Sequence, residues 1–206
     1  MSNFTDFFPA AGGGGGSMPK YQEFTASGTF TPSQELIDAG GRIAYIVVGG
    51  GQKGYSGAQL WAYGGNGGAV IYGYTTLTGT TGCTITIGAG GTADAGAGGD
   101  SSAAFASAGG TTITAKGGAG SGMGIGGNPA SVLQNFDSYG KSSFSAHPGV
   151  MGFGKGGGGS SNGVWTYNGA GGNYGSTDPE QNGTYGAGTS YNQNANNGFV
   201  RITWFE

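Results

Sequence analysis

The sequence predicts an all-β fold, built as one sandwich-like β domain with glycine-rich loops and no substantial helix. Glycine accounts for 52 of the 206 residues, and each glycine in the interior of a helix costs about 1 kcal/mol relative to alanine. Valine, isoleucine and the aromatic residues occur in short runs separated mainly by glycine, serine and threonine. The net charge of −3 is too small for self-repulsion to keep the chain open.

The first half of the domain contains its strongest strand signals. Residues 21–31 are typical of a strand or a hairpin, and residues 32–41 of a turn or a single short helical turn. Arg42–Val48 is the clearest strand, because five of its seven residues are β-branched or aromatic. A loop is expected at Gly49–Gly68, followed by a strand at Ala69–Leu77 in which Gly73 marks a bulge.

Later strands follow the same pattern. Cys83–Ile87 alternates with a period of two, which is typical of a half-buried strand. Ser102–Phe105 and Thr111–Lys116 are expected to pair around a turn at Ala108, Gly109 and Gly110. The last segment, residues 199–206, is predicted to be the strand that closes the domain.

A glycine-rich lobe is predicted between the last two strands, at residues 117–198. Its backbone can be a flexible coil, or a bundle of stacked polyglycine-II segments with three residues per turn, which approach closely because they lack side chains. Tryptophan and tyrosine recur throughout this region, which favours the ordered bundle over a linker-like coil.

The N-terminal segment is expected to be separate from the domain, which spans residues 20–206. Residues 1–19 combine an aromatic peptide, with Phe4, Phe7 and Phe8, and a run of five glycines. Such a segment is either a disordered tail or a docking peptide. We favour docking, because three exposed phenylalanines in a free tail would promote association.

Charge and composition exclude several classes of function. The seven Lys and Arg residues form no cluster, so we expect no nucleic-acid partner. No run of 18 apolar residues is present, so we expect no membrane insertion. A single cysteine and a single histidine cannot form a Cys/His metal site, and no cofactor is expected.

Motifs for catalysis are weak. Gly49, Gly51 and Gly54 match a dinucleotide-binding spacing, but no helix pattern and no acidic residue follow at the required distance. His147 is predicted to lie in a surface turn and Cys83 to be buried. The carboxylates available for sugar hydrolysis lie in turn-forming surroundings; they are Asp94, Asp100, Asp137, Asp178 and Glu180. The sequence therefore predicts a protein that is not an enzyme, with a glycan-processing enzyme kept as an alternative.

Recognition is the remaining chemistry. Tyrosine and tryptophan between glycine, serine and asparagine are typical of adaptable binding loops. The same rings can instead pack between glycine segments, and the sequence leaves both interpretations open. The candidate receptor-binding residues in the loops at 49–68 and 152–197 are Tyr55, Trp61, Tyr63, Phe153, Trp165, Tyr167, Tyr174, Tyr185 and Tyr191.

The sequence motifs follow one another from FTASGTFT through RIAYIVV–GGGQKG, GGAVIYGYTTL and TITIGAGG to a terminal GFVRITWFE, over residues 22–206. This order resembles the glycine-rich domain of bacteriophage tail-fibre and adhesin proteins, in particular the fibre-tip adhesins of T-even-like phages. The resemblance implies a β domain with stacked polyglycine-II segments, whose aromatic loops contact a host surface glycan or an outer-membrane protein.

The same resemblance implies the remaining expectations. It places the chain on a virion, where other virion proteins would hold its N-terminal peptide, and it implies a homo-oligomer such as a trimer. The chain departs from the family at its N-terminus, where a short peptide replaces a large fibre-attachment domain. Two positions are therefore open: a tail-fibre receptor-binding protein, or a capsid decoration or head fibre.

Overall fold

The computed structural model describes residues 18–56, 62–63, 65–93, 96–119, 185–186, 188 and 194–206. The described part of the chain contains ten strands and one short helix. The helix is α1 (Gln34–Asp38). The strands are β1 (Lys20–Phe24), β2 (Gly28–Phe30), β3 (Arg42–Val48), β4 (Tyr55–Ser56), β5 (Ala62–Tyr63), β6 (Val70–Thr76), β7 (Cys83–Thr86), β8 (Ser101–Phe105), β9 (Thr111–Ala115) and β10 (Phe199–Trp204).

Two four-stranded antiparallel sheets form the domain. Sheet I has the order β1-β10-β3-β6 and sheet II the order β2-β7-β8-β9, while β4 and β5 pair separately as a small hairpin. The predicted all-β, sandwich-like fold with almost no helix is therefore confirmed. The closing strand β10 lies in the interior of sheet I, between β1 and β3.

One core fills the space between the sheets. Every second residue of β7 is buried, which places Cys83 and Ile85 in this core. The predictions of a half-buried strand and of a buried Cys83 are therefore confirmed. Phe30 and Phe105 are among the largest side chains that are completely buried. The other buried members are Phe24, Leu36, Ile43, Val47, Ala69, Leu77, Ala103, Ala115, Val200 and Ile202.

Gly73 was predicted to mark a bulge, and that prediction is wrong. β3 and β6 pair without interruption from Arg42↔Thr76 to Val48↔Val70, and Gly73 lies opposite Tyr45. A Cβ atom at Gly73 would lie 2.7 Å from the Tyr45 hydroxyl oxygen. Glycine is therefore needed at residue 73 because the Tyr45 side chain occupies the space of a Cβ atom there, and not because the strand changes register.

The hairpin alternative for residues 21–31 is also wrong. β1 pairs with β10 in sheet I, whereas β2 pairs with β7 in sheet II. The connecting turn is tied to sheet II, because the amide of Ile87 donates to the hydroxyl of Ser27 at 2.9 Å. The segment therefore forms an arch that closes the same side of both sheets.

The short helix and the later hairpin agree with the sequence. α1 is one helical turn, and the hydroxyl of Ser33 caps it by accepting from the amide of Leu36 at 3.1 Å. β8 and β9 form the expected antiparallel pair. The turn between them uses Gly109 and Gly110 at φ values of 71° and 75°, which most other residues avoid.

Candidate recognition surface at the glycine end

At one end of the sandwich, six strands continue into or begin from glycine-rich segments. Three segments follow β3, β7 and β9, and three precede β6, β8 and β10. Gly186 and Gly188 lie beside them. We call these segments together the glycine bundle; they are residues 49–53, 65–69, 88–91, 96–99, 117–118, 186, 188 and 195–198.

The segment that follows β3 shows the geometry of the bundle. Its successive amides, from Gly49 to Lys53, donate in turn to Ala69, Gly99, Asn196, Asn66 and Gly96 at 2.8–3.0 Å. The neighbours thus repeat after three residues: the segment before β6, the segment before β8, the segment before β10, and then the first two again. A repeat of three residues per turn with bonds to several neighbours is the expected property of stacked extended glycine helices.

Hydrogen bonds in the bundle also join the two sheets. Within the sandwich, side chains hold the sheets about 10 Å apart. In the bundle, Gly50 of the sheet I extension donates directly to Gly99 of the sheet II extension at 2.9 Å, and Gly118 donates to Gly50 at 2.8 Å. The layers therefore converge where the side chains disappear.

Close backbone approach explains the glycines. A Cβ atom at Gly50 would overlap the carbonyl oxygen of Ala89, and one at Gly98 would overlap that of Gly50. Neither residue has a positive φ. Glycine is therefore required here for the contact of its Cα with a neighbouring carbonyl, and not for a special backbone conformation.

Polar side chains complete the bundle where the backbone alone does not pair. The buried Ser101 hydroxyl accepts from the amide of Gly88 at 2.9 Å. Asp100 accepts from the ammonium of Lys116 at 2.6 Å and from the amide of Gly117 at 2.9 Å. The Lys116 hydrogen bond, followed by the Gly117 hydrogen bond, holds the pKa of Asp100 below its ordinary value.

The aromatic hairpin lies at the far end of the bundle from the sheets, which we call the distal end. The chain leaves the bundle beyond Lys53, forms the β4–β5 pair with Tyr55 opposite Tyr63, and returns at Gly65. Trp61 immediately precedes β5 and lies outside the described residues. Two candidates thus form a cross-strand pair at the distal end.

Two further segments lie outside the described residues, at 120–184 and at 189–193. Tyr191 belongs to the second of these segments. The first contains four other candidates; they are Phe153, Trp165, Tyr167 and Tyr174.

Tyr185 occupies a different place from the other candidates. Its ring stacks on the ring of Phe199 at the start of β10, with centroids 4.4 Å apart and an angle of 5° between the planes. The side chain packs on the outer face of sheet I while remaining 37% exposed. The sequence left two interpretations of this ring, packing and binding, and the structure shows that it packs.

The proximal end, opposite the bundle, holds the first and last described residues. Lys20 lies opposite Trp204 at the start of β1, and its ammonium pairs with the carboxylate of Glu206. The Ser33 hydroxyl donates to the same carboxylate at 2.5 Å. The Lys20 and Ser33 hydrogen bonds hold the pKa of Glu206 below its ordinary value. Phe4, Phe7 and Phe8 lie outside the described residues, in the segment that leads into Met18.

Of the side chains considered for catalysis, the structure describes Asp100 and Cys83. Asp100 serves the bundle as a hydrogen-bond acceptor, and Asp94, Asp137, Asp178, Glu180 and His147 lie outside the described ranges. Among the described residues, no group of three or more His, Cys, Asp and Glu side chains is placed to hold a metal ion. The only helix in this part of the chain is α1, so no described helix could cross a membrane.

The bundle itself was only partly predicted. Residues 49–68 are predicted to be a loop, and residues 49–54 and 65–69 are indeed neither helix nor strand, but the hydrogen bonds that order them in the bundle were not predicted. A signal for this is present in the sequence. Glycine alternately follows and precedes successive strands, after β3, before β6, after β7, before β8, after β9 and before β10, so that all these glycines meet at one end of an antiparallel sandwich.

The chain matches no protein-family model, and no curated protein matches it. Function is therefore inferred from the fold, from the polarity of the domain and from the composition of its loops.

Proposed function

We propose that the chain is a non-enzymatic bacteriophage virion protein of the tail-fibre adhesin type, which contacts a host surface molecule through its aromatic distal loops. The observation that supports this most directly is the opposite placement of Met18 and the β4–β5 hairpin. β3 and its extension span 12 residues between the two ends, or about 40 Å at the rises of strand and extended glycine helix. An anchor at the N-terminus would therefore direct the hairpin away from the particle.

The bundle suits the support of recognition loops. Its central segment, Gly49–Lys53, is held by backbone hydrogen bonds at every residue, so the hairpin that follows starts from a fixed position. Loops that rise from a rigid scaffold lose less conformational entropy on binding than loops on a flexible one.

The composition of the distal loops favours a glycan or a protein loop as the receptor. Tyrosine and tryptophan provide flat contact area with few rotatable bonds, and the neighbouring serine, asparagine and glycine provide hydrogen bonds. We propose Tyr55, Trp61 and Tyr63 as the first contacts to test, because their hairpin is placed at the distal end.

Two experiments test this proposal. Antibody labelling of purified particles, viewed by electron microscopy, should place the protein at the tail or at fibre tips. The purified chain should bind host cells, and the combined variant Tyr55→Ala, Trp61→Ala, Tyr63→Ala should lose at least tenfold in affinity. Tyr72→Ala is the matched control, because Tyr72 is an exposed tyrosine on the side of the domain.

Each outcome decides between the alternatives. Label over the head would favour a capsid decoration or head fibre and remove the receptor role. Retained cell binding by a correctly folded triple variant would exclude the hairpin as the contact. Turnover of a host polysaccharide would favour the glycan-processing alternative. Light scattering of the purified chain tests the homo-oligomer, which we propose as a trimer on the family resemblance alone.

A further inference from the structure

The outer face of sheet I carries exposed aromatic side chains that are separate from the candidates at the distal end. Strand register places two cross-strand rows on this face, away from the core. Tyr21 is 66% exposed, Tyr74 72% and Tyr72 41%. We call the two rows together the tyrosine face; the first is Tyr21–Thr203–Ala44–Tyr74 and the second Glu23–Arg201–Ile46–Tyr72.

The first row has the shape of a trough. Tyr21 on β1 and Tyr74 on β6 stand at opposite edges of the sheet, about 14 Å apart at three strand spacings. Between them lie only the short side chains of Thr203 and Ala44. Two large rings with small residues between them leave room for apolar side chains to insert.

An aromatic ring from a distant part of the chain already lies on this same face. Tyr185 stacks on Phe199, which lies two residues before Arg201 on β10 and therefore on the same face. Val48 and Val70, which form one buried cluster with Phe199, are fully buried in this part of the face. The tyrosine face is the remaining part, and its three tyrosines are exposed.

We propose that the N-terminal peptide of the same chain, residues 4–8, docks on the tyrosine face. Its tether fits this site. Residue 18 is only three positions before Tyr21 on β1, about 10 Å along the strand. From Phe8 to Met18 the linker is mostly glycine, and a flexible chain of ten residues has a root-mean-square reach of about 18 Å. This reach spans the trough, and a linker of this length gives an effective concentration on the order of millimolar.

The chemistry of the two partners agrees. The peptide offers three phenylalanines. The face offers tyrosine rings, and the guanidinium of Arg201, which pairs with the carboxylate of Glu23, lies 5.8 Å from the centre of the Tyr21 ring. Inserted phenylalanines would remove apolar area from water on both sides. If the same peptide anchors the chain to a virion, the binding site on the virion must displace it from the tyrosine face. Docking on the tyrosine face does not require that the chain belongs to a virion.

Paramagnetic relaxation tests the docking in the full chain. A spin label is attached at Asn3→Cys in ¹⁵N-labelled protein; Cys83 is completely buried, and unmodified chain treated with the same reagent controls for its labelling. The expected result is loss of at least half the amide peak intensity at Ala44, Tyr74 and Thr203. Lys53, at the distal end, should keep its intensity.

The matched variant Phe4→Ser, Phe7→Ser, Phe8→Ser changes only residues outside the described part of the chain and keeps the linker unchanged. It should restore the intensity at Tyr74, which is farthest from the tether. Equal broadening with and without the phenylalanines would overturn the proposal, since a passive tether gives that result. In a second experiment, chain that carries the spin label but no ¹⁵N is mixed with ¹⁵N chain that carries no spin label. Broadening that appears only in this mixture would also overturn the proposal, in favour of docking on a second copy.

Discussion

The amide nitrogen of Gly50 donates a hydrogen bond to the carbonyl oxygen of Gly99 at 2.9 Å, and this bond joins the extension of β3 to the extension of β8 in the opposite sheet. Such a bond is possible only because neither residue carries a side chain between the layers. It makes the integrity of the distal end sensitive to the smallest possible addition.

Gly50→Ala should lower the free energy of unfolding by about 3 kcal/mol, because the added methyl group would overlap the backbone carbonyl of Ala89, which cannot move independently. Urea denaturation followed by circular dichroism measures the change. Gly79→Ala is the matched control, since no atom lies within 4 Å of its Cβ position and its φ is not positive; it should be neutral or stabilise by about 0.5 kcal/mol. Equal losses in both variants would contradict the close-contact explanation.

Gly73→Ala should cost about 1–2 kcal/mol, because the new methyl group would press on the Tyr45 hydroxyl, and the Tyr45 ring packs against Phe105 with centroids 5.5 Å apart. A double-mutant cycle with Tyr45→Leu measures the coupling. The alanine should cost less in the leucine background, where the clashing atoms are gone. A cost that is independent of residue 45 would mean that glycine serves the backbone and not the ring.

Tyr185→Ala should destabilise the domain by about 1–2 kcal/mol, because it removes the stacked ring from Phe199. The folded fraction of this variant should bind host cells as well as the unmodified chain does, since the ring lies on the side of sheet I. Thermal unfolding and cell binding are measured on the same preparation. A loss of binding without a loss of stability would instead make Tyr185 a contact residue.

Asp100→Asn should be less stable than the unmodified chain at neutral pH, and the difference should disappear in acid. The Lys116 and Gly117 hydrogen bonds lower the pKa of Asp100 in the folded state. A lowered folded pKa contributes stability above the unfolded value, near 3.9, and this contribution is lost as the pH falls through the folded pKa. Urea denaturation at pH 7, 5 and 3 follows the difference, and Lys116→Gln should show the same trend. A difference that does not narrow between pH 7 and pH 3 would contradict the assignment.

Cys83 should react with a thiol reagent only when the domain opens. The side chain is completely buried in β7, and this burial raises the pKa of the thiol, so that little thiolate is present at neutral pH. Reaction with Ellman's reagent in native buffer and in concentrated urea measures the protection. Rapid reaction of the native chain would show that β7 is accessible at the edge of the core.

The strands could be predicted because their side chains carry a pattern. Arg42–Val48 was given with its observed bounds, since a run of β-branched and aromatic residues admits few other structures. Alternation alone placed Cys83 in the core. The position of β10 inside sheet I could not be obtained in this way, because pairing partners far apart in sequence leave no local signal.

The candidate site was harder to predict for a physical reason. Glycine has no side chain, so a glycine that contacts a carbonyl of another layer has the same local sequence as a glycine in a loop. The choice of glycine at residue 73 was misread for this reason, because the constraint comes from Tyr45 on the neighbouring strand. Only the alternation of glycines around successive strands carries information about the bundle.

The interior position of β10 also determines when this domain can be completed during synthesis. β1 and β3 are both made early, but they are joined only through β10, more than 150 residues after β3. The ribosome must therefore deliver residues 199–204 before the inward-facing side chains of Ile43 and Val47 gain their last neighbours, Val200 and Ile202. We expect chains truncated before Phe199 to remain sensitive to protease in pulse–chase experiments, and chains that include residues 199–206 to acquire resistance.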